Sequence, residues 1–522
     1  MAGTDGRGTD TIEKPPPPPD DPTTLRGPGR AALGVVGVVV VLSVVRAFLP
    51  MPWLGDIWRP ADTATIAHNF FVGGMSLFYP QVNWGGAGPG YVEAELQILP
   101  WLSAALFYVF GEHAWVGRLV SLAFTIGGIA VFWALAKRSL PARTARWALI
   151  AFVVSPAVMT YGNAFMPDVT VLFFYLLTLL SFQRWLTHDR LVWLVAAAAA
   201  ASTAALAKPT SLHVFLILLI WLAISARDRL KRPSLYIAAV ASLVVPALWL
   251  WHAHELYVEY GNTFGVISGG DSKFGNIAIW TSSLFYTGNI TIEATLIYGI
   301  IGVPIALLGA WLAWKARGPV ILAAGFPALV VFYFAVARYS SELGPQYHIF
   351  SLPFAALLIG IGIEGVARWL RGRVSPTVRI AAAVVAVLAL FAQSAMVFVA
   401  SFKDQSGVYG ACSAQLDQVS APTDLVVIST TSLAVDRGMA NNFQEPTIFY
   451  LADRKGWSLA ADQLEPTILA GHARQGARFF VNYDPSLVPA GTALADWLAT
   501  NAQPVRSSAA DGCDIWSLRP GA

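Results

Sequence analysis

Long apolar runs separated by short polar breaks fill the chain from Ala31 to Ala400. They lie near 31–50, 114–136, 145–161, 169–186, 191–207, 210–226, 234–251, 288–314, 319–337, 346–367 and 378–400. An α-helix needs about 20 mostly apolar residues to cross a bilayer, so the pattern predicts about eleven spanning helices. Met1–Arg30 is polar and contains the run Pro15 to Pro19. Such a segment cannot bury a core, which predicts a disordered N-terminal tail over 1–30. It is also too proline-rich for the start of a cleaved signal peptide, so Ala31–Leu49 reads as a retained first span. From Lys403 the pattern changes. Short β-like runs such as Asp424–Ile428 and Arg478–Val481 alternate with Ala-rich helical stretches, predicting a small α/β domain over 403–522. The expected fold class is therefore a polytopic α-helical membrane protein, spanning over 31–402, with a C-terminal α/β domain.

Composition agrees with lipid as the main solvent. The chain of 522 residues is 56% hydrophobic and only 12% charged, where soluble globular domains carry about 25% charged residues. Lys and Arg set the orientation. With the N-terminus in the cytoplasm, 20 of the 26 basic residues before Lys403 fall in cytoplasmic segments, and the positive-inside bias favours this topology over its inverse. An odd number of spans then places Lys403 onward outside. The basic residues are scattered between apolar runs rather than gathered on one face, which argues against a nucleic-acid partner. There are two cysteines, Cys412 near the start of the outer domain and Cys513 near its end. An oxidising compartment permits a disulfide between them; the alternative is two unrelated buried thiols. No CxxC or Cys/His cluster points to a metal, and no cofactor is indicated.

The first outer loop, about Met51 to His113, is long for a connector. Asp62 to Phe71 has the amphipathic pattern of a helix lying at the membrane interface. Leu96–Phe110 is apolar but interrupted by Pro100, as expected of a juxtamembrane or re-entrant stretch. Asp56 follows the first span, where the plain alternative to a chemical role is a solvated loop acid. Asp168 opens an apolar helix, where an acid also serves as a cap. Lys208 ends an Ala-rich helix and could hold a phosphate or simply snorkel to the interface. Arg118 lies one turn inside the second span, where a cation usually has a partner. Arg338, Tyr347 and His348 form a third polar group, and such a histidine more often satisfies an interface than catalyses. Under one topology Asp56, Arg59, Glu93, Glu95, Arg118, Asp168, Lys208, Arg338 and His348 all reach the outer face. That convergence suits an anionic amphiphile.

These residues and their order resemble the GT-C glycosyltransferases, in the branch of the protein O-mannosyltransferases and aminoarabinose transferases (glycosyltransferase families 39 and 83). The resemblance runs from about residue 35 to 370. It covers Gly55-Asp56, Phe110-Gly111-Glu112, Gly117-Arg118-Leu119, Met166-Pro167-Asp168, Ala207-Lys208-Pro209 and Tyr347–Pro353. Asp56 stands alone where the family has an acidic pair, and Glu93-Ala94-Glu95-Leu96 replaces a Lys-Pro-Pro. The resemblance implies a polyprenyl-phosphate sugar as donor, a lipid, glycan or protein hydroxyl as acceptor, and a hexosyl- or pentosyltransferase of the cell envelope. It implies Asp56 as general base and Asp168 in the acceptor or sugar site. Lys208, Arg118 and Arg338 would face the lipid phosphate, with Arg59, Glu93, Glu95, Tyr347 and His348 completing the substrate site. The expected location is a bacterial plasma membrane, with membrane lipid as a further partner. The competing class is a transporter or flippase, which would place charged pairs and broken helices near mid-membrane.

Overall fold

The computed structural model describes residues 27–49, 58–269, 274–403, 406–508 and 512–519. Asp56 lies outside these described residues, as does most of the N-terminal tail. The apolar runs form helices because a backbone in lipid must satisfy its N–H and C=O groups within the segment. In chain order they are α1 (Arg30–Ala47), α2 (Trp58–Gly73), α3 (Ile98–Phe110), α4 (Ala114–Ser139), α5 (Ala142–Val153), α6 (Pro156–Tyr161), α7 (Asp168–His188), α8 (Leu191–Ala207), α9 (Val214–Ser225), α10 (Pro233–Tyr260), α11 (Ile277–Trp280), α12 (Ser283–Ile292), α13 (Gly302–Lys315), α14 (Val320–Val336), α15 (Leu352–Leu370) and α16 (Pro376–Ala400). Among the described residues six helices are long and apolar enough to cross a membrane: α1, α4, α7, α10, α15 and α16. A bent pair built on α12 and α13 makes up to seven, and α3, α8, α9 and α14 are shorter apolar helices.

Two of the expected spans are broken. The run 145–161 divides because Ser155 caps a new helix, its hydroxyl accepting from Ala157 N at 3.3 Å, and Pro156 occupies the first helical position. The run 288–314 bends by 98° between a π-turn at Glu293–Ile297 and the start of α13. Conversely, Pro100 does not interrupt α3. It sits in the first turn, where its missing N–H leaves no ladder bond unmade.

α15 is the most enclosed of the six and α16 the least. α15 reaches the centre of the bundle on small residues. A methyl group at Gly362 would lie 2.1 Å from Ile305 O, and one at Gly309 would lie 1.9 Å from Leu358 O. Lipid gives apolar side chains no solvent to escape from, so such close backbone packing carries the association of α13 with α15.

Beyond α16 the chain forms α17 (Gly407–Val419), α18 (Pro446–Ala452), α19 (Pro466–Arg474) and α20 (Ala493–Asn501). Two two-residue strands, β1 (Val92–Glu93) and β2 (Asn262–Thr263), pair in parallel between the first outer loop and the end of α10. The remaining strands are β3 (Leu425–Ser429), β4 (Val435–Asp436), β5 (Met439–Ala440), β6 (Lys455–Leu459), β7 (Ala477–Asn482), β8 (Ala502–Ser508) and β9 (Cys513–Leu518). Five of them make one sheet in the order β6-β3-β7-β9-β8. β3 is parallel to β6 and β7, and β9 is antiparallel to β7 and β8.

Strand alternation gives this sheet two apolar faces. Val427 and Phe480 pack with Leu469, Leu494 and Leu498 of α19 and α20. Val426, Ile428, Val481 and Ile515 instead share a core with Ala64, Ala67 and Phe70 of α2. The expected interfacial helix is therefore enclosed between the bundle and the sheet. Two of its polar positions find partners there: Asp62 accepts from Trp84 Nε1 at 2.9 Å, and Asn69 donates to Gln81 O and Asn83 Oδ1 at 3.0 Å each. The first outer loop also extends the sheet at β6, where Gly456 N donates to Asn83 O at 2.9 Å and Gly86 N to Gly456 O at 2.7 Å. Gly86 has φ +82°, and a Cβ there would meet Trp457 Nε1 at 2.7 Å.

Cys412 of α17 and Cys513 of β9 are bonded, with Cα atoms 5.5 Å apart, closing 101 residues. Constraining an unfolded loop of that length is worth about 4–5 kcal/mol at most in the chain-entropy view. Reduction should lower the stability of the sheet domain by several kcal/mol while leaving the bundle helical. Thermal scans with and without reductant, with free thiols counted by mass spectrometry, check this.

Candidate functional site

A cavity of about 790 Å³ lies where the helix ends meet the sheet domain. Its membrane-side wall is apolar, with Leu212, Leu216, Val331, Phe332 and Val336. The opposite wall is polar and comes from the sheet domain, through Thr430, Thr431, Ser432, Asn441, Asn442 and Glu445. Between them stand Trp58, Arg59, Glu95, Lys208, Phe264 and Tyr347.

Two buried ion pairs organise this middle zone. Lys208 caps the C-terminus of α8, and Asp168 opens α7. Lys208 Nζ donates to Asp168 Oδ1 at 2.6 Å and stands 4.2 Å above the Tyr347 ring. Asp168 is only 2% exposed and sits at the N-terminus of α7, where an acid complements the helix dipole. The second pair joins Arg59, in the first turn of α2, to Glu95 after β1. The Arg59 guanidinium lies 4.9 Å from the Phe264 ring centroid, a cation–π contact that holds its plane. Both cations face a cavity with one apolar and one polar wall, an arrangement suited to a phosphate carrying a long apolar chain and a polar group.

The sequence-predicted residues thus divide. Arg59, Glu95, Lys208 and Tyr347 line the cavity, and Asp168 is bonded to Lys208. Glu93 is fully buried elsewhere. Its carboxylate accepts from Ile267 N at 2.8 Å, Ser268 N at 3.0 Å and Thr263 Oγ1 at 2.6 Å, fastening the loop after β2. Arg118 donates to Ala47 O at 3.0 Å and Leu49 O at 2.5 Å, satisfying carbonyls at the end of α1. His348 bridges Glu293 and Ser340 O, at 2.8 Å each, with its ring stacked on Tyr333. Arg338 is 1% exposed and reaches Asp436 and Asn441, both at 3.2 Å, tying α14 to the β4–β5 hairpin. It touches the cavity only through Asn441. Among the described residues no group of three or more His, Cys, Asp or Glu side chains could hold a metal ion.

The sheet domain supplies residues that the sequence reading did not single out: Tyr409, Thr430, Asn442, Glu445 and Tyr483. Glu445 is the most informative. It precedes Pro446 and caps α18, accepting from Thr447 N at 2.7 Å. Burial raises its carboxyl from 4.5 to about 7. The local signal was Glu445-Pro446-Thr447, which reads as an ordinary helix start. A raised carboxyl pKa means that the folded state binds the proton more tightly. Stability is thus fully present below pH 4.5 and is lost as pH rises through about 7. Glu445→Gln keeps the acceptor for Thr447 N and removes the titration. At pH 8 it should be more stable than the parent by on the order of 3 kcal/mol, and the two should converge at pH 4.5. Parallel melting curves across that window would exclude the effect.

Residues 97–252 match the family described as dolichyl-phosphate-mannose-protein mannosyltransferase. No curated protein matches the chain significantly in sequence. Several solved structures share its fold. ArnT from Cupriavidus metallidurans, bound to undecaprenyl phosphate, superposes with a TM-score of 0.65 at 16% identity, covering 93% of this chain and 98% of that one. The oligosaccharyltransferase of Archaeoglobus fulgidus gives 0.52 at 13% identity over 93% and 73%. The mycobacterial arabinofuranosyltransferase AftD gives 0.53 at 15% identity over 94% and 40%. Residues 97–252 thus match that family, and nearly the whole length of the chain shares the fold of these glycosyltransferase structures.

Proposed function

We propose that this protein transfers a sugar from a polyprenyl-phosphate donor to an acceptor hydroxyl, inverting the anomeric centre. The observation that carries the reading is the cavity of about 790 Å³ with Lys208 and Arg59 between an apolar and a polar wall. The apolar wall suits a polyprenyl chain, the two cations its phosphate, and the sheet-domain wall the sugar and acceptor. ArnT, of the same fold, binds undecaprenyl phosphate.

In this reading the acceptor oxygen attacks the anomeric carbon and the bond from that carbon to the phosphate oxygen breaks. The phosphate leaves with the electron pair, and the acceptor proton passes to Asp56. Lys208 and Arg59 stabilise charge developing on the leaving phosphate. Asp168 and Glu95 hold those cations in place, and Tyr347 supports Lys208 from below. Alignment of acceptor and donor in one cavity supplies much of the remaining rate. Glu93, Arg118 and His348 act as scaffold, fixing the loop and helix ends that carry the site. The N-terminus is cytoplasmic and the sheet domain extracytoplasmic, in line with the distribution of Lys and Arg. A reporter fused after Ala522 should therefore be active only outside the cytoplasm; cytoplasmic activity would invert the topology.

The decisive experiment supplies labelled polyprenyl-phosphate sugars to the purified protein in membranes and identifies the labelled acceptor. Sugar transfer with release of polyprenyl phosphate is expected. Movement of intact labelled donor across the bilayer, without transfer, would assign the cavity to a flippase instead.

A further inference from the structure

The end of the bundle opposite this cavity carries a second one, of about 650 Å³. α15 connects the two ends: it starts beside Tyr347 and runs 19 residues to Leu370, about 28 Å at helical rise. The second cavity is framed by the starts of α1, α5 and α16 and by the end of α15.

Its polar lining is almost entirely cationic. Arg30, Arg143, Arg146, Arg371 and Arg379 converge on it, and Glu364 is its one lining carboxylate. Glu364 is already committed, accepting from Arg371 at 2.5 Å and lying 3.7 Å from Arg368. Among the described residues, Arg30, Arg143, Arg146 and Arg379 have no carboxylate partner. The Nε atoms of Arg146 and Arg379 are shielded from solvent and have no hydrogen-bond partner there. Four like charges around one cavity repel one another unless an anion joins them, and shielded guanidinium N–H groups need an acceptor.

The other walls identify the kind of anion. Ile150, Ile305, Ile363 and Ala386 line the interior. Val366 and Ile380 are 43% and 66% exposed on α15 and α16, two helices long and apolar enough to cross a membrane. A free phosphate would find no use for such walls, whereas acyl chains would. Trp147 stands at the same level, as interfacial tryptophans do. Basic pockets between spanning helices near one membrane face are suited to anionic lipid head groups.

We propose that this cavity binds an anionic phospholipid, its phosphate between Arg146 and Arg379 and its chains against α15 and α16. The inference is independent of the transferase reading and of which face is cytoplasmic.

The test is native mass spectrometry of the full-length protein in detergent, titrated with cardiolipin, phosphatidylglycerol or phosphatidylcholine. One anionic lipid should be retained well above phosphatidylcholine. Arg146→Gln/Arg379→Gln should weaken that retention about 10-fold or more. Arg30→Gln/Arg143→Gln removes exposed side chains of the same cavity and should act in the same direction if the first pair fails to fold. Arg227→Gln/Arg373→Gln removes the same charge away from the cavity and should bind as the parent does. Equal retention of all three lipids, equal loss in the control variant, or displacement of the lipid by equimolar inorganic phosphate would each overturn the proposal.

Discussion

Asp56→Asn should lower turnover by about 10²–10⁴-fold with donor affinity largely kept. The substitution preserves size and most hydrogen bonding but removes the lone pair that would take the acceptor proton. Asp56 precedes Trp58 by two residues, a stretch that spans at most about 7 Å. Trp58 and Arg59 both line the cavity, and the Trp58 indole donates to Gln444 O of the sheet domain. The start of α2 is thus anchored at the site. Glu445 is the rival base in the same cavity, because burial has already brought its carboxyl to about 7, where a base works near neutrality. Single-turnover rates at saturating donor separate the two. If Asp56 is the base, Asp56→Asn loses the rate and Glu445→Gln keeps most of it. Wild-type turnover in Asp56→Asn, with loss in Glu445→Gln, would move the role to Glu445. Loss of donor binding in step with activity would make Asp56 a binding group.

The helical bundle was legible in the sequence because apolar length is a strong and local signal. The breaks within it were not, because they rest on single residues inside apolar runs. Ser155-Pro156 and the turn before Gly302 vanish when hydropathy is averaged over a span. The opposite error concerned Pro100, whose effect depends on its position relative to the helix start. α2 read as interfacial because Asp62, Thr63, Thr65 and Asn69 interrupt an apolar pattern. Those residues are nonetheless buried, since Trp84, Gln81 and Asn83 satisfy two of them beneath the sheet domain. A polar position shows its need for a partner in the sequence but does not say where that partner comes from.

The same limit governed the site. Ionisable residues at helix ends pointed to one end of the bundle, and at that end Arg59 pairs with Glu95 and Lys208 with Asp168. The pairing of each cation with its acid was not readable, because Asp168 and Lys208 are 40 residues apart on different helices. Glu93 and Glu95 are two residues apart and would share one face of a regular strand, but β1 ends at Glu93, so the two side chains part. One fastens a loop and the other enters the cavity. The sheet-domain wall had no signal at all, because its contact with the bundle is made by surfaces that look ordinary in each part taken alone.

The pairing of Lys208 with Asp168 changes how its role must be tested. In Lys208→Ala the Asp168 carboxylate would remain 2% exposed with its 2.6 Å partner gone. Breaking a buried ion pair from one side costs about 3–5 kcal/mol, mostly through the stranded charge. A loss of donor binding in that variant would therefore mix damage to the fold with loss of the phosphate contact. Lys208→Met with Asp168→Asn removes both charges and keeps the side-chain volumes, so its stability should return close to that of the parent. If Lys208 holds the donor phosphate, this neutral pair should still bind polyprenyl-phosphate sugar roughly 10–100-fold more weakly, the worth of one charge-assisted hydrogen bond. Asp168→Asn alone keeps an oxygen acceptor for Lys208 Nζ and its contact with Tyr347, and should retain donor affinity. Melting temperature and donor affinity measured on Lys208→Met, Asp168→Asn and the double variant, against the parent, give a complete cycle. Parent-like donor affinity in the double variant would confine Lys208 to joining α7 and α8, and Arg59 would then be the cation that meets the phosphate.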